Sequence, residues 1–153
     1  MSEVFFYHMT RQPLEVTLPM LLGKAIGVGW KVAIQGTSDA RLSWLDNKLW
    51  EGDGFLPHAC AGGEFDVEQP VLLTQAAKYP NAPECVMCID GADLDMDVLP
   101  KLSRAMILFD GNDPDAVSHA RAQWKQVKDA NVAAKYWSQE TGKWEMKAEH
   151  TPT

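Results

Sequence analysis

Five short apolar runs, each stopped by a polar residue or a glycine, constrain this chain most: "EVFFYHM", "WKVAIQG", "QPVLLT", "CVMCIDG" and "RAMILFDG". Runs this short and this apolar read as strands buried on both faces, and segments of crossover length separate most of them. Strands alternating with helices predict an α/β fold, a Rossmann-like three-layer sandwich. Its mainly parallel sheet has about five strands, with helices on both faces.

The intervening segments carry the helix signals. In "PLEVTLPMLLGKAIGVG", Leu14, Leu18, Leu21, Leu22 and Ile26 recur at helical spacing, with Thr10 and Pro13 offered as cap and first-turn proline, and Pro19 expected to kink the helix or delay its start. Gly29 suits the left-handed residue that ends it. "DARLSWLDNKLW" has Ser38 or Asp39 as cap and a Leu42, Leu45, Leu49 stripe. The last long helix is "DPDAVSHARAQWKQVKDAN", capped by Asp113 with Pro114 in its first turn. "AKYWSQETGKWEMKA" alternates around a glycine and predicts a C-terminal hairpin or flap.

At 153 residues the chain is expected to form a single domain over 1–153, long enough to bury one core. No segment reaches the apolar length of a membrane helix, and the acidic, briefly apolar start lacks the pattern of a signal peptide, so a soluble, cytoplasmic protein is expected. Three cysteines suggest reduced thiols. The formal net charge of −7 opposes direct contact with a phosphate backbone.

Familiar chemistry is scarce. There is no phosphate loop of the G-x-x-x-x-G-K-[ST] kind, and "GKAIGVG" lies at a helix end, not in a strand-to-helix turn. Cys85 and Cys88, with His58 and Cys60, have the right atoms for zinc, but residues three apart on a strand point to opposite faces, which favours buried free thiols. Asp90 and Asp110 end strands where α/β sheets keep their sites, and with His58 they define the alternative function, a small-molecule or nucleotide-binding enzyme. Both aspartates also suit turn capping. Direct binding of single-stranded DNA through the six tryptophans is a third reading, disfavoured by the charge.

The last helix is more informative. On a helical wheel Val117, Ala120, Trp124 and Val127 share the arc expected to face the sheet, and Arg121, Lys125 and Lys128 lie on the adjoining one. Trp124 thus borders a cationic stripe on an acidic protein. A solvated basic face complementing the helix dipole is the plainer reading; the arginine fork, suited to a carboxylate, is the sharper one. A similar choice applies to "LDNKLWEGDGFLPHA", where Trp50 and Phe55 serve either the core or a partner.

Taken in order, "FYHMT", "PLEVTLPMLLGKAIGVGWKVAI", "LDNKLWEGDGFLPHA", "QPVLLT", "LFDG" and "ARAQWKQVK" resemble the chi subunits of bacterial DNA polymerase III holoenzyme over nearly the whole chain. The most specific parts are "LDxxLW" with "FLPH", and the alanine-arginine of the last helix. The resemblance implies a noncatalytic, cofactor-free accessory protein of the clamp-loader assembly. It implies binding to the acidic C-terminal tail of single-stranded DNA-binding protein, binding to the small psi subunit through another surface, and only indirect contact with DNA. The family's tail-binding arginine falls on Arg121 and its aromatic on Trp124. Lys125 and Lys128 are added from the wheel, and Val117 stands where better-known members have a lysine. The psi-facing aromatics fall on Trp50 and Phe55, with Pro57 stiffening the segment and His58 offering a hydrogen bond or a structural link.

Overall fold

A computed structural model describes residues 2–51, 58–75 and 79–153. Its strands are β1 (Glu3–Met9), β2 (Val32–Gln35), β3 (Ala59–Cys60), β4 (Val71–Thr74), β5 (Cys85–Cys88), β6 (Arg104–Asp110), β7 (Ala133–Ser138) and β8 (Glu145–His150). The helices are α1 (Leu14–Gly27), α2 (Asp39–Trp50) and α3 (Pro114–Asp129). All eight strands join one sheet in the order β3-β4-β2-β5-β6-β1-β7-β8. Every pairing is parallel except β7 with β8.

The expected count of about five strands is therefore too low. The five apolar runs are β1, β2, β4, β5 and β6. The additions are two-residue β3 and the C-terminal hairpin, whose first strand pairs in parallel with β1, Phe6 opposite Tyr136. That hairpin, turning through Gly142 at φ 90°, is part of the sheet and not a flap over it.

Alternation along β1 divides the core. Phe5, Tyr7 and Met9 enter one apolar cluster with the buried leucines of α1 and α2, whereas Val4 and Phe6 enter another with Ala120 and Val127 of α3. Cys85 falls in the first cluster and Cys88 in the second, the opposite-face placement expected of a strand.

Local signals operate largely as expected. Ser38 caps α2, its hydroxyl accepting from the Arg41 N–H at 3.3 Å, and the Asp113 side chain caps α3, accepting from the Asp115 N–H at 3.0 Å. At α1 the expectation needs correcting. Pro13 itself is the cap residue, extended at ψ 169° and without a side-chain cap bond, while Thr10 takes no part. Pro19 lies inside the helix, which nonetheless begins at Leu14. Gly29, at φ 86°, ends α1 as expected: its N–H donates to the Ile26 carbonyl at 2.9 Å and that of Trp30 to Ala25 at 3.1 Å. Among the described residues no helix is long and apolar enough to cross a membrane.

Candidate partner-binding sites

Helix α3 lies against the sheet through Ala120 and Val127, both about 1% exposed, with Val117 and Trp124 partly buried beside them. Gln123, absent from the wheel's apolar arc, is also buried because its amide nitrogen donates to the Ala92 carbonyl at 3.2 Å. Arg121, Lys125 and Lys128 are exposed, and none forms an ion pair among the described residues. A cationic row thus runs along the helix beside Trp124.

Beneath this row is an aromatic cluster that the sequence did not point to. The Trp124 ring meets Phe6 edge-on at 5.3 Å and Tyr136 at 5.9 Å between centroids, and Tyr136 stacks on Phe6 at 6.2 Å. His8 fixes Tyr136 from the other side, its Nδ1 2.7 Å from the hydroxyl and its Nε2 3.4 Å from the Gly111 carbonyl. A neutral ring with its proton on Nε2 satisfies both, the Tyr136 O–H donating to Nδ1. Burial pushes the Tyr136 hydroxyl above its ordinary pKa, and the Arg121 guanidinium pulls it back, so that guanidinium and phenol share one electrostatic environment. Only the pairing of β7 with β1 places Tyr136 here.

The second candidate region lies at the end of α2. Trp50 is half exposed and packs on the His58 ring at 4.1 Å between centroids. His58 is buried, its Nε2 3.1 Å from the Asp46 carbonyl oxygen and 3.2 Å from the Asp46 carboxylate. It ties the chain before β3 back to α2, so its structural role is on view. Phe55 and Pro57 lie outside the described residues.

The residues of the alternative reading are only partly brought together. Asp90 and Asp110 line one crevice, and His58 is not among its lining residues. Asp90, in the left-handed region at φ 52°, receives the Arg41 guanidinium at 3.0 and 3.2 Å. Asp110 caps its own turn, accepting from the Asn112 N–H at 2.9 Å. Burial pushes the thiols of Cys85 and Cys88 up to about 12, so both are neutral sulfhydryls in the core, while Cys60 is exposed.

A family model described as DNA polymerase III chi subunit, HolC, matches residues 1–135. The chain belongs to the chi subunit family. Membership makes it an accessory subunit of DNA polymerase III, a protein of DNA replication. No curated protein matches the chain. The chi match takes in all of α2 and α3, and hence Trp50, Arg121, Trp124, Lys125 and Lys128, and it ends within β7, one residue before Tyr136. The hairpin that completes the aromatic cluster thus lies mostly beyond the matched region.

Proposed function

We propose that this chi-family protein is a noncatalytic, single-domain cytoplasmic link between the clamp-loader assembly and single-stranded DNA-binding protein. Helix α3 receives the acidic C-terminal tail of that protein. The reading is supported above all by the exposure of Arg121 beside the Trp124–Tyr136 pair, with its charge uncompensated by any ion pair among the described residues. A guanidinium fork takes a terminal carboxylate in two hydrogen bonds, and an aromatic edge next to it covers the tail's last apolar side chain. Lys125 and Lys128 extend the attraction along the helix and offset Val117, which cannot contribute charge.

Contacts to charged groups add about 1.5 to 3 kcal/mol each, so a few of them correspond to roughly micromolar binding. DNA is reached only through the bound protein, in keeping with the net charge of −7. Trp50, supported by His58, serves the other surface, for a psi-like subunit, a role that the family resemblance extends to Phe55 and Pro57.

Capture from an extract of the parent cell, using the intact chain as bait, tests both surfaces. The native chain retains single-stranded DNA-binding protein and clamp-loader subunits. Arg121→Ala loses the former and keeps the latter; Trp50→Ala does the reverse. Retention of both by both variants overturns the assignment.

A further inference from the structure

A crevice of about 990 Å³ opens at the carboxyl ends of β5, β6 and β1. Strands β6 and β1 are neighbours, yet the chain leaves β1 into α1, on the face of Phe5 and Tyr7, and leaves β6 into α3, on the face of Val4 and Phe6. Where adjacent strands send their connections to opposite faces, a gap forms above them, and doubly wound sheets take ligands there. The tail-binding reading makes no use of this gap.

Its chemistry is unlike that of a nucleotide site, because its arginines and the turn between β1 and α1 direct donors to groups of the protein itself. Arg41 is held in two hydrogen bonds by Asp90 and lies 4.4 Å above the Trp44 ring. Arg11 donates to the Glu140 carbonyl at 2.9 Å. The N–H groups of Thr10, Arg11 and Gln12, in the turn where a phosphate would sit, all donate to the side-chain oxygen of Gln139 at 3.3 Å. Gln139 is only 4% exposed, so an internal amide fills the backbone nest.

The acceptors are only partly committed: Asp90 is held by Arg41 and Asp113 caps α3, whereas others have capacity to spare. Two arginines face five carboxylates in the lining, an excess of three negative charges. Among the described residues neither the Glu15 nor the Asp115 carboxylate forms an ion pair, although Glu15 lies in the field of Arg41, and Asp110 spends one oxygen on its turn. Gln123 is 6% exposed and lines the crevice; its amide nitrogen is committed to Ala92, which leaves the amide oxygen to accept. The Thr10 hydroxyl, also in the lining, is buried without a hydrogen-bond partner. Leu108 and Phe109 supply apolar wall.

We propose that this crevice binds a protonated amine or guanidinium on an alkyl stem, which its carboxylates and the Gln123 carbonyl would accept while the apolar wall covers the stem. A free polyamine and a lysine or arginine side chain of a partner both have this chemistry. Amide spectra of the ¹⁵N-labelled chain, titrated separately with spermidine, with an acetyl-Leu-Arg-Leu-amide peptide and with inorganic phosphate, test it. Saturable shifts are expected around residues 10–15 and 110–116 with at least one cationic probe. Tighter binding of spermidine identifies a free amine as the ligand, and tighter binding of the peptide a partner side chain. The Asp110→Asn/Asp115→Asn variant, in which the residue 110 amide oxygen still closes the turn, binds the preferred probe at least about tenfold more weakly, the loss of one or both charged contacts. Arg121→Ala binds it unchanged, which separates this site from the tail site. Failure of both cationic probes to saturate, shifts indifferent to the double variant, or phosphate saturating the same resonances overturns the proposal.

Discussion

At Gly111 a Cβ atom would lie 1.9 Å from Cδ2 and 2.2 Å from Nε2 of His8, whose ring is already tied to Tyr136. Gly111→Ala therefore has to displace the ring that positions the aromatic cluster under Arg121. A loss of about 1 to 3 kcal/mol in denaturant unfolding is expected, as for overpacked cores. Gly29 makes a useful comparison, since nothing lies within 4 Å of its would-be Cβ and only its φ of 86° resists a side chain. Gly29→Ala should cost about 1 to 2 kcal/mol through backbone strain alone and leave tail binding intact. The buried thiols give a pH dependence. An unfolded thiol near 9 releases its proton while folded Cys85 and Cys88 hold theirs to about 12, so above pH 9 the folded state binds more protons and stability falls as pH rises. Tyr7, pushed up from 10 to about 12 mainly by burial, acts in the same direction. Unfolding midpoints measured between pH 8 and 11 should fall above about pH 9, by up to about 1.4 kcal/mol per pH unit for each thiol; a flat profile contradicts the burial of these groups.

Among the elements, legibility followed how local the deciding contacts are. β1 and α2 appear with the bounds their apolar pattern suggested, because period and cap sit in the same few residues: Ser38 before Asp39, Leu42, Leu45 and Leu49 at helical spacing. The α3 wheel placed Ala120 and Val127 inward and Arg121, Lys125 and Lys128 outward, yet it missed Gln123, whose burial depends on a carbonyl 31 residues away. Thr10 is not the cap because α1 begins only at Leu14, which puts Pro13 in the cap position and leaves Thr10 three residues before it, in a turn where Gln139, 129 positions distant, accepts its N–H. The alternating C-terminal run did suggest a hairpin, but its parallel pairing with β1 joins residues 130 apart, such as Phe6 and Tyr136, and leaves no local trace. Tyr136→Phe, which keeps the ring and removes the bond to His8, is expected to retain the fold and reduce tail affinity only severalfold, by about the 0.5 to 1.5 kcal/mol of one hydrogen bond. Titration of that variant checks it.

For the whole molecule, an acidic chain carries two chemically opposite features: the cationic row along α3, and the acid-rich crevice at the carboxyl ends of the strands. The family places the protein in DNA polymerase III, and the charges bear on which parts of that machinery it can meet. With −7 overall, the proposed binding of another acidic chain requires Arg121, Lys125 and Lys128 to overcome long-range repulsion at short range. Tail affinity should accordingly fall as salt rises from 50 to 300 mM, since screening acts on these exposed contacts. The most direct measurement is a calorimetric titration of the intact chain with a synthetic peptide matching the acidic C-terminal end of single-stranded DNA-binding protein, repeated with Arg121→Ala. One-to-one, roughly micromolar binding by the native chain, abolished in a variant that unfolds at the same temperature, is the predicted result. Equal heats from both proteins, or none from the native chain, would contradict it.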